Sequence, residues 1–258
     1  MADFNGVTEP VAGNMPQQPQ PRTLSADRGW HWIIDAFQLV RKQFGMWILL
    51  CLITFIVLAV ANMVPLLGMV ASTLLQPLLF AGLVFACSEI ERGEELEIGQ
   101  LFIGFQRNPA QLMLVGVIGF AATLGAMLVA AIPLLVLGGS SMAAALSGQD
   151  PTAMQALGGV GLIALLLFAL VLLLLMVPVS MAMWFASALV LFHEMAAWPA
   201  FKLSFFACLR NVMPFFIFGL IAAVLCVVAA LPFGLGLILL LPVLMATAYT
   251  SFRDVFGV

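Results

Sequence analysis

From Ser25 onward the chain alternates between long apolar runs and short stretches in which apolar residues recur every three or four positions. Between Lys42 and Glu89 there is no Asp, Glu, Lys, Arg or His, and the same holds between Arg210 and Arg253. Between Arg107 and His193 the only ionisable residue is Asp150. About 20 apolar residues cross roughly 30 Å of hydrocarbon, so these runs predict transmembrane helices near 46–64, 69–88, 110–137, 214–231 and 237–252. A sixth run, Val160 to Phe192, would be about 50 Å long as a helix. Its length admits either two crossings broken at Pro178 or one long crossing that kinks, tilts or protrudes.

The shorter stretches have helical periodicity. Trp30, Ile33, Ile34 and Phe37 share one face, with Asp27, His31, Asp35, Arg41 and Lys42 on the other side. Ile98, Leu101, Phe102 and Phe105 repeat the spacing before Arg107-Asn108-Pro109, and Trp198, Phe201, Phe205 and Leu209 do so before Arg210-Asn211. Each predicts an amphipathic helix, lying in the headgroup plane with its Trp rings at the interface or packed on the protein's own cytoplasmic face. The expected interfacial residues are Trp30, Trp32, Arg41, Lys42, Arg107, Trp198 and Arg210.

An internal repeat links the two patterns. QPLLFA, VPVSMA and LPVLMA each place an alanine four residues after a proline, at Pro77 and Ala81, Pro178 and Ala182, Pro242 and Ala246. Each unit reads as amphipathic helix, basic residue, outward crossing, turn, and return crossing through the proline segment. The predicted fold is all-α: six transmembrane helices as three hairpins, each preceded by an in-plane helix, with units at 26–95, 96–197 and 198–258. The proline follows the basic residue by 35 positions in the first unit and 32 in the third, but by 71 in the second. That excess predicts an extended external loop over 138–159 and helices that overshoot the bilayer on the outer side or tilt. The three proline helices are expected to meet at the bundle centre, with Ala81, Ala182 and Ala246 permitting close packing. Gln76 is the polar neighbour of the first proline.

Composition agrees with this pattern. Hydrophobic residues make up 64% of the 258-residue chain and charged residues 8%, against about 25% charged in soluble domains. If the fourth run crosses once, all nine Lys and Arg fall on one side, and the positive-inside rule puts both termini in the cytoplasm. Two crossings would export Lys202 and Arg210, which rejects that alternative. Residues 1–25 are polar and rich in Pro and Gln, with no signal-peptide core, and are expected to form a disordered cytoplasmic tail.

Little in the sequence signals chemistry. Cys51, Cys87, Cys208 and Cys226 form no CxxC pair and read as apolar packing residues. His193-Glu194 lacks the second histidine of HExxH and reads as a polar cap at a helix end. The acidic run from Glu89 to Glu97 reads as a solvated loop beside the membrane. There is no phosphate-binding glycine loop and no nucleophile elbow. Charges within crossings, which usually mark ion pathways, are missing, and the polar residues there (among them Thr73, Ser180 and Thr247) more often bond between helices. No catalytic residue, cofactor or metal is expected, and no nucleic-acid partner.

The segments RGWHWIIDAFQLVRKQFGMWI, QPLLFAGL, LFIGFQRNP and FFACLRNVMPF resemble a family of uncharacterised bacterial integral membrane proteins. More remotely, the repeated unit is similar to the membrane domain attached to some glycerophosphodiester phosphodiesterases. The resemblance covers nearly all of 26–258 and implies a six-helix protein of the bacterial inner membrane, tilted toward lipid-related processes. It carries over no catalytic residue. The expectation is a non-enzymatic protein that binds membrane lipids or a membrane protein partner, with a transporter or channel for a weakly polar or amphipathic solute as the alternative. A topology reporter fused after Asp150 is expected to read as periplasmic, and a cytoplasmic signal there would overturn the six-crossing arrangement.

Overall fold

The computed structural model describes residues 19–64, 67–139 and 153–257. Every regular element among these residues is helical, with no strand. The elements are α1 (Arg28–Lys42), α2 (Phe44–Ala61), α3 (Leu67–Arg92), a 3-10 turn (Ile98–Phe102) running into α4 (Ile103–Gln106), α5 (Pro109–Pro133, continued by a π-helical turn at Leu134–Gly138), α6 (Ala153–Trp184), α7 (Ala186–His193), α8 (Ala197–Arg210), α9 (Val212–Ala230) and α10 (Leu235–Phe256). Six helical spans are long and apolar enough to cross a membrane. They are α2, α3, α5 with its π turn, α6 with α7, α9 and α10, in the predicted order. The expected turn at 65–68 and external loop at 138–159 fall largely outside the described residues.

Burial is uneven along the spans. In α2, α5, α6 and α9 most side chains are exposed or half-buried and few are buried, as expected of surfaces that face lipid. The second halves of α3 and α10, and all of α7, supply most of the buried core. Buried positions run almost continuously from Pro77 to Ile90, from Ala186 to Leu191 and from Ala246 to Phe252. These segments follow the three prolines. Helix α3 packs on α7 and on α10, while Phe185 and Phe192 meet Phe252 across the remaining side at ring-centroid distances of 6.1 and 5.6 Å. The return helices therefore converge where the repeat predicts, but only beyond their prolines.

Three short helical pieces form a collar around this convergence. The 3-10 turn and α4 pack on α3, α8 packs on α6 and α7, and α1 packs on α10 and α9. Each collar helix thus serves the hairpin before it rather than the hairpin after it. For α1, which has no earlier hairpin in the chain, the partner is the last one, so the three units close into a ring. Close backbone approach makes the seats tight. A methyl group at Gly82 would strike the backbone of Leu101, and one at Gly29 the backbone of Pro214, which explains glycine at both positions.

Amide side chains stitch the ring together. Gln43, at the start of α2, accepts from the Leu96 N–H (2.8 Å) and donates to the Glu94 carbonyl (3.0 Å), holding the segment that enters the second collar piece. Gln111, at the start of α5, accepts from the Ala197 N–H at the head of α8 (2.9 Å). Asn211, buried before α9, accepts from the Leu24 N–H and donates to the Arg22 carbonyl, both at 2.9 Å. Each amide satisfies backbone groups that would otherwise lose water without a partner.

One expectation is corrected. Residues 1–18 of the expected disordered tail lie outside the described residues, but 21–24 are tied down by Asn211, by the Arg22 N–H to Val255 carbonyl bond (2.8 Å) and by Arg210 on the Pro21 carbonyl. The polar composition is compatible with order because the hydrogen bonds come from α9 and α10, not from the segment itself. The long fourth run makes one span, as expected; α6 continues through Pro178, and the helix is interrupted at Phe185. There the Ser204 hydroxyl of α8 accepts from the Phe185 N–H (2.9 Å) and donates to the Met181 carbonyl (2.7 Å). A side chain inserted into the i to i−4 ladder is a recognised cause of such a break.

Replacing Asn211 with Ala would strand two backbone groups, at a cost of about 1–3 kcal/mol. Trypsin should then cut after Arg22 much faster than in the unaltered chain under mild-detergent conditions. Equal cutting rates would show that the amide does not hold the strap.

Candidate functional site

The collar end carries two features with chemical character, a charged knot and a set of apolar grooves. The knot forms where α1, α3 and α10 meet. Asp254, on the last turn of α10, accepts hydrogen bonds on one carboxylate oxygen from Arg28 Nε (2.8 Å), from a second Arg28 nitrogen and from Trp32 Nε1 (2.9 Å). Next to it, Arg253 reaches Glu91 of α3 (2.5 Å) and Asp35 of α1 (2.9 Å). Tyr249 donates to the other Glu91 oxygen (2.5 Å), and the Thr250 hydroxyl donates to the Trp32 carbonyl (3.0 Å).

Helical spacing explains why these groups converge. Arg28, Trp32 and Asp35 are spaced i, i+4, i+7 on one face of α1, and Tyr249 and Arg253 are spaced i, i+4 on α10. Two guanidiniums face three carboxylates, and a cavity of about 190 Å³ beside them is lined by Asp35, Gln38, Lys42, Glu91 and Arg253. Lys42 thus supplies the balancing positive charge at its rim. The arrangement consists of donors satisfied by acceptors, and it is suited to holding helices together.

The grooves lie between collar helices and spanning helices. One of about 420 Å³ has Trp30, Ile33, Ile34 and Phe37 of α1 on one wall and Leu225 and Val243 among the residues opposite. One of about 460 Å³ runs between Phe201, Lys202, Phe205 and Phe206 of α8 and Pro178, Val179 and Ala182 of α6. A third, about 430 Å³, opens between α6 and α9 and includes Ser180 and Trp184. All three are lined almost wholly by apolar side chains.

The residues singled out by sequence divide between these features. Pro77, Ala81, Ala182, Pro242 and Ala246 are buried in the convergence and Pro178 is half-buried. They shape helices and bring no polar group to a cavity. Gln76 is exposed, and Thr73 and Thr247 donate to carbonyls of their own helices (2.8 and 2.6 Å). Arg41, Lys42, Arg107 and Arg210 are exposed, as are Trp30 and Trp198, and Arg107 lies over the Phe85 ring (5.3 Å).

Trp32 is the correction in this group. Expected at the membrane interface, it is wholly buried and packs against Phe215 (5.0 Å) while its N–H binds Asp254. The apolar face of α1 is wide, and Trp32, Ile33, Ala36 and Val40 take the core while Trp30 and Phe37 remain outside. Glu91 likewise leaves the expected solvated loop and joins the knot. Sequence reading missed Asp254, Arg253 and Tyr249 as functional partners. The signal available was their position, two charges and a tyrosine ending an otherwise uncharged span.

His193 is the last residue of α7, and Glu194 follows it in the left-handed conformation (φ 51°). Among the described residues no group of three or more His, Cys, Asp or Glu side chains is placed to hold a metal ion. Compared with known protein families, curated proteins and solved structures, the chain has no match.

Replacing Asp254 with Ala leaves Arg28 and the Trp32 indole facing the vacancy, and the carboxylate is only 12% exposed. The loss is expected to be about 2–3 kcal/mol, read as a lowered melting temperature in detergent. Adding Arg28→Ala to that variant should cost little more, because the interaction is already gone. Additive losses would show that the two residues act independently.

Proposed function

We propose that this chain is a non-enzymatic lipid-binding scaffold of the bacterial inner membrane, with both termini in the cytoplasm. One observation carries the reading. The charged knot is satisfied within the protein, whereas the grooves under α1 and α8 are aromatic and apolar, with Trp30, Phe37, Trp198 and Phe206 exposed beside them. Acyl chains are the abundant membrane component that matches aromatic and apolar grooves of this kind. Basic residues around the collar, Arg41, Lys42, Arg107 and Arg210, supply the charge that a cytoplasmic leaflet attracts. The lipid-related tilt of the family resemblance points the same way.

A carrier for an amphipathic solute is the second reading, favoured by the groove at Ser180 between α6 and α9. That groove has a single hydroxyl, and Gln76, Thr73 and Thr247 do not join it, so a polar route is not what its lining offers.

Protein extracted in mild detergent should carry lipid whose composition differs from that of the source membrane. Co-purified lipid matching the bulk composition would count decisively against the binding reading.

A further inference from the structure

The grooves under α1 and α8 occupy equivalent places in the repeat. Aligning Gln43 with Asn211 puts Trp30 on Trp198, Ile33 on Phe201, Ile34 on Lys202 and Phe37 on Phe205. Three of these four pairs match an apolar or aromatic residue with another. The fourth replaces an isoleucine with a lysine, so the molecule contains two similar apolar grooves of which one has a cation in its wall.

Lys202 is exposed, and no carboxylate among the described residues lies within ion-pair reach of it. Its ammonium sits over the Trp198 ring at 5.0 Å, and Trp198 stacks on Phe201 (6.3 Å, interplanar 10°). A cation over an exposed indole is a pairing that belongs at a membrane interface. Directly beneath, the groove passes between Phe205 and the Pro178, Val179 and Ala182 stretch of α6. Its volume of about 460 Å³ falls within the roughly 300–1,000 Å³ of ordinary ligand sites. In the third copy Gly104 and Gly82 bring α4 and the 3-10 turn onto the α3 backbone.

We propose that the groove between α8 and α6 is a binding site for one anionic glycerophospholipid, with the phosphate on Lys202 and an acyl chain between Phe205 and Val179. This assignment rests on the lipid-binding reading and specifies its place and headgroup. Charge complementarity selects the occupant. A zwitterionic lipid brings its own ammonium against Lys202, whereas an anionic headgroup brings a net negative charge. The groove under α1 then serves as an internal control, able to hold a chain but indifferent to headgroup charge.

The test uses the full chain in phosphatidylcholine nanodiscs doped with a photoactivatable phosphatidylglycerol, with crosslinks mapped by mass spectrometry. Crosslinks are expected in the Phe201–Phe206 segment, competed by unlabelled phosphatidylglycerol and not by phosphatidylcholine. Lys202→Gln should weaken this labelling about fivefold, the worth of one basic side chain at a lipid surface. Val179→Trp should abolish it by filling the groove, with unchanged melting as the check on folding. Ile34→Lys should create a second phosphatidylglycerol-selective site on α1.

Labelling spread without preference over the collar, or unaffected by Lys202→Gln, overturns this site while leaving a general lipid-binding role standing. The absence of any labelling above that of a membrane protein of unrelated sequence overturns both.

Discussion

The docking of α1 on α10 closes the architecture, and the other contacts at the collar end are arranged around that closure. In a linear array of three hairpins, each collar helix would cover the return helix before it and the last return helix would be left bare. Its exposed face would include Thr250, Tyr249 and Asp254, groups that need partners once water is excluded. Helix α1 supplies them: the Trp32 carbonyl receives Thr250, and the Trp32 indole with Arg28 satisfies Asp254. Glu91, brought in by α3, receives Tyr249 and Arg253 together. Because these groups are part-buried, their mutual satisfaction matters more than the gross strength of any ion pair.

The same need for backbone partners governs the entrances to the collar. Two extended segments cross from one hairpin to the next and a third leads into the first hairpin, and each passes an amide side chain near the start of an outward helix. Gln43 and Asn211 share a place in the repeat but not a residue type, and Gln111 shares the residue type of Gln43 but not its place, yet each receives an N–H from the incoming segment. Repetition of the contact without repetition of the residue suggests that the physical requirement, not a motif, is what the three units share.

Much of this was legible in the sequence because it follows from local periodicity. The six spans, the three collar pieces and the convergence behind Pro77, Pro178 and Pro242 all follow from patterns a few residues long. The pairing of collar helices with hairpins was not legible. Local spacing places α1 beside α2, its chain neighbour, while the true partner lies 222 residues away at the Trp32 to Asp254 contact. Trp32 was misplaced for a related reason: a tryptophan suits both an interface and a buried hydrogen bond, and only the distant aspartate decides between them. The break at Phe185 depended on Ser204, which sequence alone gives no reason to set against Met181. The grooves were half legible, since the faces lining them were visible as helical stripes but their opposite walls were not.

The ring also orders events during synthesis. Helix α1 emerges first, and its seat is complete only when Asp254 has been made, on the order of tens of seconds later at ordinary translation rates. Through that interval the Trp32 indole lacks the carboxylate that receives it in the finished protein. The docking of α1 on α10 is thus among the last contacts that synthesis allows, although α1 is made long before its partner.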